Sequence, residues 1–166
     1  PPRLEGEARP YVSWPHLLTP PEQVPEATPG PASETVTGEV TAVFEGLTAA
    51  GATPWLRLVF RTPAPVTAHG LALERELETA AALARALPAG AHLQLVWQPA
   101  AGPESAGGAP PVDQYAFLLK RAAVAVTGAQ PDARVISAPL PPDAATLEAL
   151  YAQDVAAYLD GVALAA

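Results

Sequence analysis

Alternating apolar and polar residues predict β-strands along the chain, most clearly at 55–61 and 92–98. In an extended chain successive side chains point to opposite faces, so each of these segments has one strongly apolar face and one more polar face. The apolar faces consist of Leu56, Leu58, Phe60, Leu93, Leu95 and Trp97, and the other faces of Arg57, Val59, Arg61, His92, Gln94, Val96 and Gln98. Weaker strand patterns occur at 11–14, 134–138 and 161–165.

Between these strands, apolar residues recur every three or four positions and predict four amphipathic helices. Ser33, Asp113 and Asp143 are expected to cap three of them, and Gly51 and Gly128 to end two. The expected buried stripes are Val36, Val40, Val43, Leu47 and Ala50; Leu73, Leu77, Ala80, Ala84 and Leu87; Tyr115, Leu119, Ala122 and Val126; and Leu147, Leu150, Tyr151, Val155 and Tyr158. Glu74, Glu76 and Glu78 are assigned to a solvated helix face.

The strict alternation of strands and helices predicts an α/β protein with parallel β/α units. A parallel set of this kind forms part or most of a TIM-type (β/α)8 barrel, which a further segment or chain would complete, or else a small open parallel sheet. We expect one domain over residues 11–166, after an N-terminal tail at 1–10. A proline-rich loop at 19–31 lies within that domain.

Composition narrows the classes of function. The chain has 166 residues, 49% hydrophobic and only 6% aromatic, so its core is built mostly from small aliphatic side chains. A net charge of -8 argues against nucleic acid as a partner, because phosphate neutralisation needs a basic surface. No apolar run is long enough for a membrane span.

Several classes of catalytic site also have no support in the sequence. There is no cysteine for a thiolate nucleophile or thiolate metal ligand. His16, His69 and His92 lie far apart without ligand-like spacing, so no metal site is expected. Neither a Gly-x-Ser-x-Gly elbow nor a glycine fingerprint for phosphate is present, and we expect no cofactor.

The segment Val96-Trp97-Gln98-Pro99 closes the second clear strand. It is similar to the Trp-Asn-Glu-Pro-like motif of retaining glycoside hydrolases of the cellulase and β-xylosidase type, whose barrels carry an acid/base glutamate there. The segments at 115–120, 131–136, 147–151 and 158–163 resemble the helix, strand, helix and strand that follow in that family. The resemblance implies a (β/α)8 barrel acting on or binding carbohydrate.

The same resemblance favours a chain without catalytic activity, because neither catalytic carboxylate can be assigned. Retaining hydrolysis needs an acid/base carboxyl and a nucleophilic carboxylate about 5–5.5 Å apart. Gln98 stands at the acid/base position and has no transferable proton. The family nucleophile comes from a strand later than those predicted here, so no catalytic residue is assigned.

Polar residues near the carboxyl ends of parallel strands are where ligands bind. Each candidate here also has a structural alternative: a role for the glutamines in satisfying neighbouring polar groups, a salt-bridge network for the arginines, and core packing for the tryptophans at 14, 55 and 97. The candidate ligand-binding residues are Gln98, Gln94, Arg57, Arg61 and His92.

Three hypotheses about function follow. The first is a non-catalytic glycosidase-like barrel, extracytoplasmic in a bacterium, that serves as a carbohydrate-binding or structural subunit of the cell envelope, with polysaccharide or other envelope proteins as partners. The second is an active retaining hydrolase whose remaining strands lie outside this chain, with Glu104 as the best substitute acid. The third is an α/β protein-interaction module.

Overall fold

The computed structural model describes residues 12–13, 32–63, 71–99 and 111–165. In these residues β-strands and α-helices alternate along the chain, and the predicted α/β class is confirmed. The elements are β1 (Val12–Ser13), α1 (Ala32–Ala49), β2 (Trp55–Phe60), α2 (Leu71–Arg85), β3 (His92–Trp97), α3 (Val112–Ala129), β4 (Arg134–Ile136) and α4 (Ala144–Tyr151), followed by a 3-10 turn at Ala156–Tyr158.

The strands form one parallel sheet in the order β1-β2-β3-β4, so neighbours in the chain are neighbours in the sheet. The register between the two long strands pairs Leu56 with Leu93, and Leu58 with Leu95. Their apolar faces therefore coincide. This arrangement fits the small open parallel sheet, the smaller of the two architectures that the sequence allows.

The helices pack against a single face of the sheet. Buried side chains from α1, α2, α3 and α4 share one hydrophobic core with the apolar faces of β2, β3 and β4. The predicted stripes of α2 and α3 are confirmed, because every member of both is buried. The sheet is thus covered by helices on the side of Leu58 and Leu95.

In α1 the buried stripe differs from the prediction at two positions: Ala50 is exposed, and Phe44 is buried in place of Val43. Val40 is fully buried, but Val43 is 37% exposed and Phe44 takes the place expected of it. Steps of four and three residues lead from Val40 through Phe44 to Leu47, which packs at the edge of the core. The larger aromatic side chain buries more apolar surface than valine would at this position.

Helix ends follow backbone geometry. Gly51 ends α1 with φ of 76°, as predicted, and glycine is the residue that adopts this conformation without strain. Asp143 caps α4, accepting a hydrogen bond from the Thr146 N–H at 2.8 Å, also as predicted. At α3 the prediction was wrong: Pro111 is the N-cap instead of Asp113, and the helix continues past Gly128 to Ala129.

The region after α4 is less regular than predicted. The helix ends at Tyr151, because Asp154 adopts a positive φ of 54° that a continuing helix cannot contain. Tyr151 and Tyr158 are therefore 46% and 36% exposed instead of buried, while Leu150 and Val155 do join the core.

The predicted last strand is reduced to two isolated parallel bridges. Ile136 is paired with Gly161, and Leu140 with Leu164. No helix among the described residues is long and apolar enough to cross a membrane. The predicted tail at 1–10, the proline-rich loop at 19–31, and Trp14, His16, His69 and Glu104 lie outside the described residues.

Candidate functional site

The sheet face opposite the helices carries all five candidate residues. We call it the polar face and define it by the residues of β2 and β3, with one residue beyond each, that alternate with the core residues: Trp55, Arg57, Val59, Arg61, His92, Gln94, Val96 and Gln98. The parallel register places the two sets side by side across the strands.

Arg57 and Gln94 form the central polar pair of this face, because they are register partners on adjacent strands. Gln94 is only 9% exposed. The Nε atom of Arg57 is buried and has no hydrogen-bond partner among the described residues. Val59 and Val96, the next pair along the strands, are 2% and 4% exposed.

His92 lies at the amino-terminal end of β3, where its ring stacks on Trp55. The ring centroids are 5.4 Å apart and the planes are inclined by 29°. Both residues are intermediate in exposure. His92 therefore lies at the opposite end of the strand from Gln98, so the structure does not bring all five candidates into one cluster.

Arg61 and Gln98 do meet, at the carboxyl ends of β2 and β3. The Gln98 N–H donates to the carbonyl of Phe60 at 2.9 Å, and the Arg61 Nη1 donates to the carbonyl of Gln98 at 3.3 Å. The backbone of Gln98 is thus held in place while its side chain is exposed. Its side-chain amide makes no hydrogen bond to any described residue.

Glu76 of α2 lies behind this edge, on the helix side. Its carboxylate accepts hydrogen bonds from the Arg61 N–H at 2.9 Å, the Thr62 N–H at 3.3 Å and the Thr62 hydroxyl at 2.8 Å. Trp97 adds a further bond, its indole N–H donating to the Thr62 carbonyl at 2.7 Å. These contacts fix the chain just beyond β2.

The assignment of Glu76 to a solvated face was wrong, since the residue is only 3% exposed. Burial raises the pKa of Glu76, although the hydrogen bonds from Thr62 and Arg61 act in the opposite direction. A signal was present in the sequence. Glu76 follows Leu73 by three residues and precedes Leu77, so it lies on the edge of the buried stripe.

Tyr115 of α3 makes a second link on the helix side. Its hydroxyl donates to the Leu95 carbonyl at 2.9 Å and accepts from the Ala138 N–H at 2.6 Å. Burial raises the pKa of Tyr115, which keeps the phenol protonated and able to donate. The side chain therefore joins β3 to the segment that follows β4.

The packing alternative holds for Trp97, whereas the salt-bridge alternative does not hold for Arg57 or Arg61 among the described residues. Trp97 belongs to the core and is 6% exposed, as the packing alternative predicts. The ion pairs among the described residues join Arg121 to Glu74 at 2.7 Å and Arg134 to Asp160 at 2.9 Å. Neither pair includes Arg57 or Arg61.

The polar face combines buried valines at its centre with basic and amide side chains. It presents guanidinium and amide donors. Two carboxylates near its ends already accept hydrogen bonds: Glu76 from Arg61 and Thr62, and Asp160 from Arg134 and the Val135 N–H. In the described part of the chain, no group of three histidine, aspartate or glutamate residues could hold a metal ion.

Two grooves of the described surface are lined by other residues. One, with a volume of about 480 Å³, lies on the helix side between α1 and the end of α2, and is lined mainly by apolar atoms. The other, of about 130 Å³, lies beside the 3-10 turn. Neither includes a candidate residue.

Comparison with models of protein families found no match, and comparison with curated proteins found none either. Neither comparison links the chain to glycoside hydrolases.

Proposed function

We propose that the chain is a non-catalytic, glycosidase-like β/α domain that binds carbohydrate at the carboxyl ends of β2 and β3. The observation that carries the proposal is the juxtaposition of Arg61 and the exposed Gln98 at that edge. Ligands of parallel β/α folds bind at this edge, because the loops that follow the strands converge there.

The order of the strands supports the barrel within this proposal. A doubly wound open sheet reverses its strand order to place helices on both faces, whereas a barrel adds strands sequentially and keeps its helices outside. Here the order is sequential and the helices share a core with one face only. On this proposal the polar face corresponds to the inside of a barrel, which further strands would complete.

The absence of catalysis is supported by the groups at the strand ends. Gln98 has the shape of a protonated glutamate, but its amide cannot transfer a proton during hydrolysis. Glu76 cannot substitute from its observed position. Its carboxylate is buried on the helix side and accepts bonds from Arg61 and Thr62, so it does not face a sugar on the polar face.

Carbohydrate suits the donors that remain. Sugar hydroxyls accept hydrogen bonds from amides and guanidinium groups, and Gln98 can also accept one through its amide oxygen. Trp55, intermediate in exposure and already stacked with His92, offers an aromatic surface at the other end of the face. A polysaccharide could contact both ends, whereas a monosaccharide reaches only one.

The setting we propose is extracytoplasmic, at the envelope of a bacterium, with polysaccharide or other envelope proteins as partners. A bacterial source is supported by a composition rich in alanine and proline in which arginine far outnumbers lysine, as in proteins from bacteria of high GC content. Fractionation of a source bacterium with an antibody to the chain tests the location. Recovery in the cytoplasmic fraction alone would contradict it.

Binding is tested by isothermal titration calorimetry with cello- and xylo-oligosaccharides. If Gln98 contacts sugar, Gln98→Ala should weaken binding about three- to tenfold, the value of roughly one hydrogen bond. Gln153→Ala, which removes an exposed amide just after α4, is the matched control and should bind like the wild type. No heat of binding with either sugar series would contradict the proposal.

Hydrolysis is tested separately with aryl glucosides and xylosides. We expect no turnover above that of buffer. Turnover that Glu76→Gln abolishes in a folded variant would show an active hydrolase and overturn the non-catalytic half of the proposal.

A further inference from the structure

Arg57 combines features that a purely structural arginine rarely shows. It lies at the centre of the polar face, and its Nε is buried without a hydrogen-bond partner among the described residues. It belongs to neither ion pair of the described residues. Burying an N–H of a cation without an acceptor is unfavourable, so the position is expected to receive an acceptor from outside the described structure.

Gln94 supplies the second half of the arrangement. It is the register partner of Arg57 on β3 and is 91% buried, the complement of its 9% exposure. Its side-chain amide has no hydrogen bond to any described residue. Two polar side chains with unused donors thus lie side by side on one face of a sheet, in a place where strand packing alone would favour apolar residues.

The donors suit a planar monoanion. The Nε–H and a terminal N–H of a guanidinium lie along one edge and match the two oxygens of a carboxylate, and a neighbouring amide N–H can bind one of the same oxygens. Arg61 is four residues beyond Arg57, which places it about 13 Å further along at the rise of a β-strand. Arg134, on the neighbouring strand, is already paired with Asp160. Among the described residues, Arg57 is therefore the unpaired guanidinium beside Gln94, and its single charge balances a carboxylate but not a phosphate dianion.

We propose that Arg57 and Gln94 form a subsite for a carboxylate group. The proposal rests on the proposed function for its identity as a sugar acid, in which case the ligand is a uronate residue of an acidic polysaccharide. The protein as a whole is acidic, with a net charge of -8, but the polar face is locally basic. Among the arginines of β2, β3 and β4, only Arg134 is paired with a carboxylate in the described structure. Its partner is Asp160, and it lies next to His92 in the register.

The subsite is tested by NMR on the arginine Nε–H groups of the full chain. The Arg57 signal is identified by its absence from the spectrum of Arg57→Lys, and the exposed Arg85 provides an internal control. We expect sodium glucuronate to shift the Arg57 signal, and glucose at the same concentration to leave it in place. Acetate should shift it more weakly, because it has the carboxylate without the ring.

Gln94→Glu provides a variant that keeps the size of the side chain while placing a negative charge beside Arg57. It should weaken the binding of glucuronate at least tenfold by calorimetry, while Arg85→Gln, with an unaltered polar face, binds it like the wild type. Far-ultraviolet circular dichroism and the melting temperature establish that each variant is folded. If Gln94→Glu does not fold, the wild-type titration still decides the question through the Arg57 signal.

The outcomes separate this subsite from the proposed function. An Arg57 signal unmoved by glucuronate and acetate overturns the subsite, even if neutral oligosaccharides bind at Gln98. Inorganic phosphate that shifts the signal as strongly as glucuronate overturns the preference for carboxylate. Equal effects of acetate and glucuronate, without binding of any neutral oligosaccharide, support a carboxylate site and overturn its link to sugars.

Discussion

Glu76 accepts hydrogen bonds from both the backbone N–H and the hydroxyl of Thr62, at 3.3 and 2.8 Å. The two residues lie 14 positions apart in the sequence, on α2 and just after β2. Their contact joins a helix to the carboxyl end of the strand that precedes it. The edge of the sheet that carries Arg61 is therefore positioned by a buried carboxylate of the helix layer.

Removing that carboxylate should destabilise the fold. We expect Glu76→Ala to lower the free energy of unfolding by about 2–3 kcal/mol, because it leaves the N–H groups of Arg61 and Thr62 without their acceptor. Urea denaturation measures the change. Glu78→Ala, on the exposed side of the same helix, is the control and should stay within about 0.5 kcal/mol of the wild type. Equal effects of the two substitutions would contradict the role of Glu76.

Glu76 also predicts a pH dependence. Burial raises its pKa in the folded protein above the ordinary glutamate value, so the folded state binds this proton more tightly than the unfolded chain. The resulting contribution to stability is fully present below the unfolded-state pKa, about 4.3, and is lost as pH rises through the raised folded-state pKa.

Glu76→Gln removes this titration, so the comparison isolates it from the other carboxylates. The free energy of unfolding of the wild type, relative to Glu76→Gln, should fall as the pH is raised from about 4 and then become constant. Urea titrations at a series of pH values measure this difference. A difference that rises with pH over the same range would show that the pKa is lowered instead.

Tyr115→Phe tests the second link of the helix side. The substitution removes the donor to the Leu95 carbonyl and the acceptor for the Ala138 N–H without changing the ring. We expect a loss of about 1–3 kcal/mol and faster hydrogen exchange at the Ala138 amide. Tyr151→Phe, at a tyrosine that is 46% exposed, should change neither quantity. Unchanged exchange at Ala138 in the Tyr115 variant would contradict the bond.

Alanine substitutions at two glycines, one inside α1 and one at its end, should change the stability of the protein in opposite directions. Gly46 lies inside the helix with open space around its Cα, so Gly46→Ala should stabilise the protein by about 0.5–1 kcal/mol. Gly51 has equal space but a φ of 76°, so Gly51→Ala should destabilise it by about 1–2 kcal/mol. Thermal unfolding of both variants checks the pair. The same sign for both would show that backbone conformation does not control the end of α1.

The sequence predicted the elements better than their ends. The stripes of α2 and α3 followed from helical period alone, and the alternation in β2 and β3 identified the core face of the sheet. At α3 an acidic residue near the start was mistaken for the cap, because Asp113 and Pro111 are both typical of a first turn. The predicted length of α4 was also wrong. Apolar residues continue at helical spacing to Tyr158, but the positive φ of Asp154 interrupts the helix before that residue.

The sequence predicted which face of the sheet carries the candidate residues, but not which of them are in contact. Alternation placed Arg57, Gln94 and Gln98 on one side of the sheet, and the register then decided that Arg57 adjoins Gln94. It also separated His92 from Gln98 by the length of β3. Sequence spacing could not show which candidates meet, since the pairing of two strands depends on the intervening helix and loops.

Local patterns determined the class of the fold, because strand alternation and helical period depend on residues only a few positions apart. The alternating elements, the apolar faces and the caps at Gly51 and Asp143 all belong to this level. Tertiary structure alone decided that Glu76 is buried, since its partners at Arg61 and Thr62 come from another element. It likewise decided that the buried Nε of Arg57 lacks a partner in the described residues, because only packing removes water from such a group.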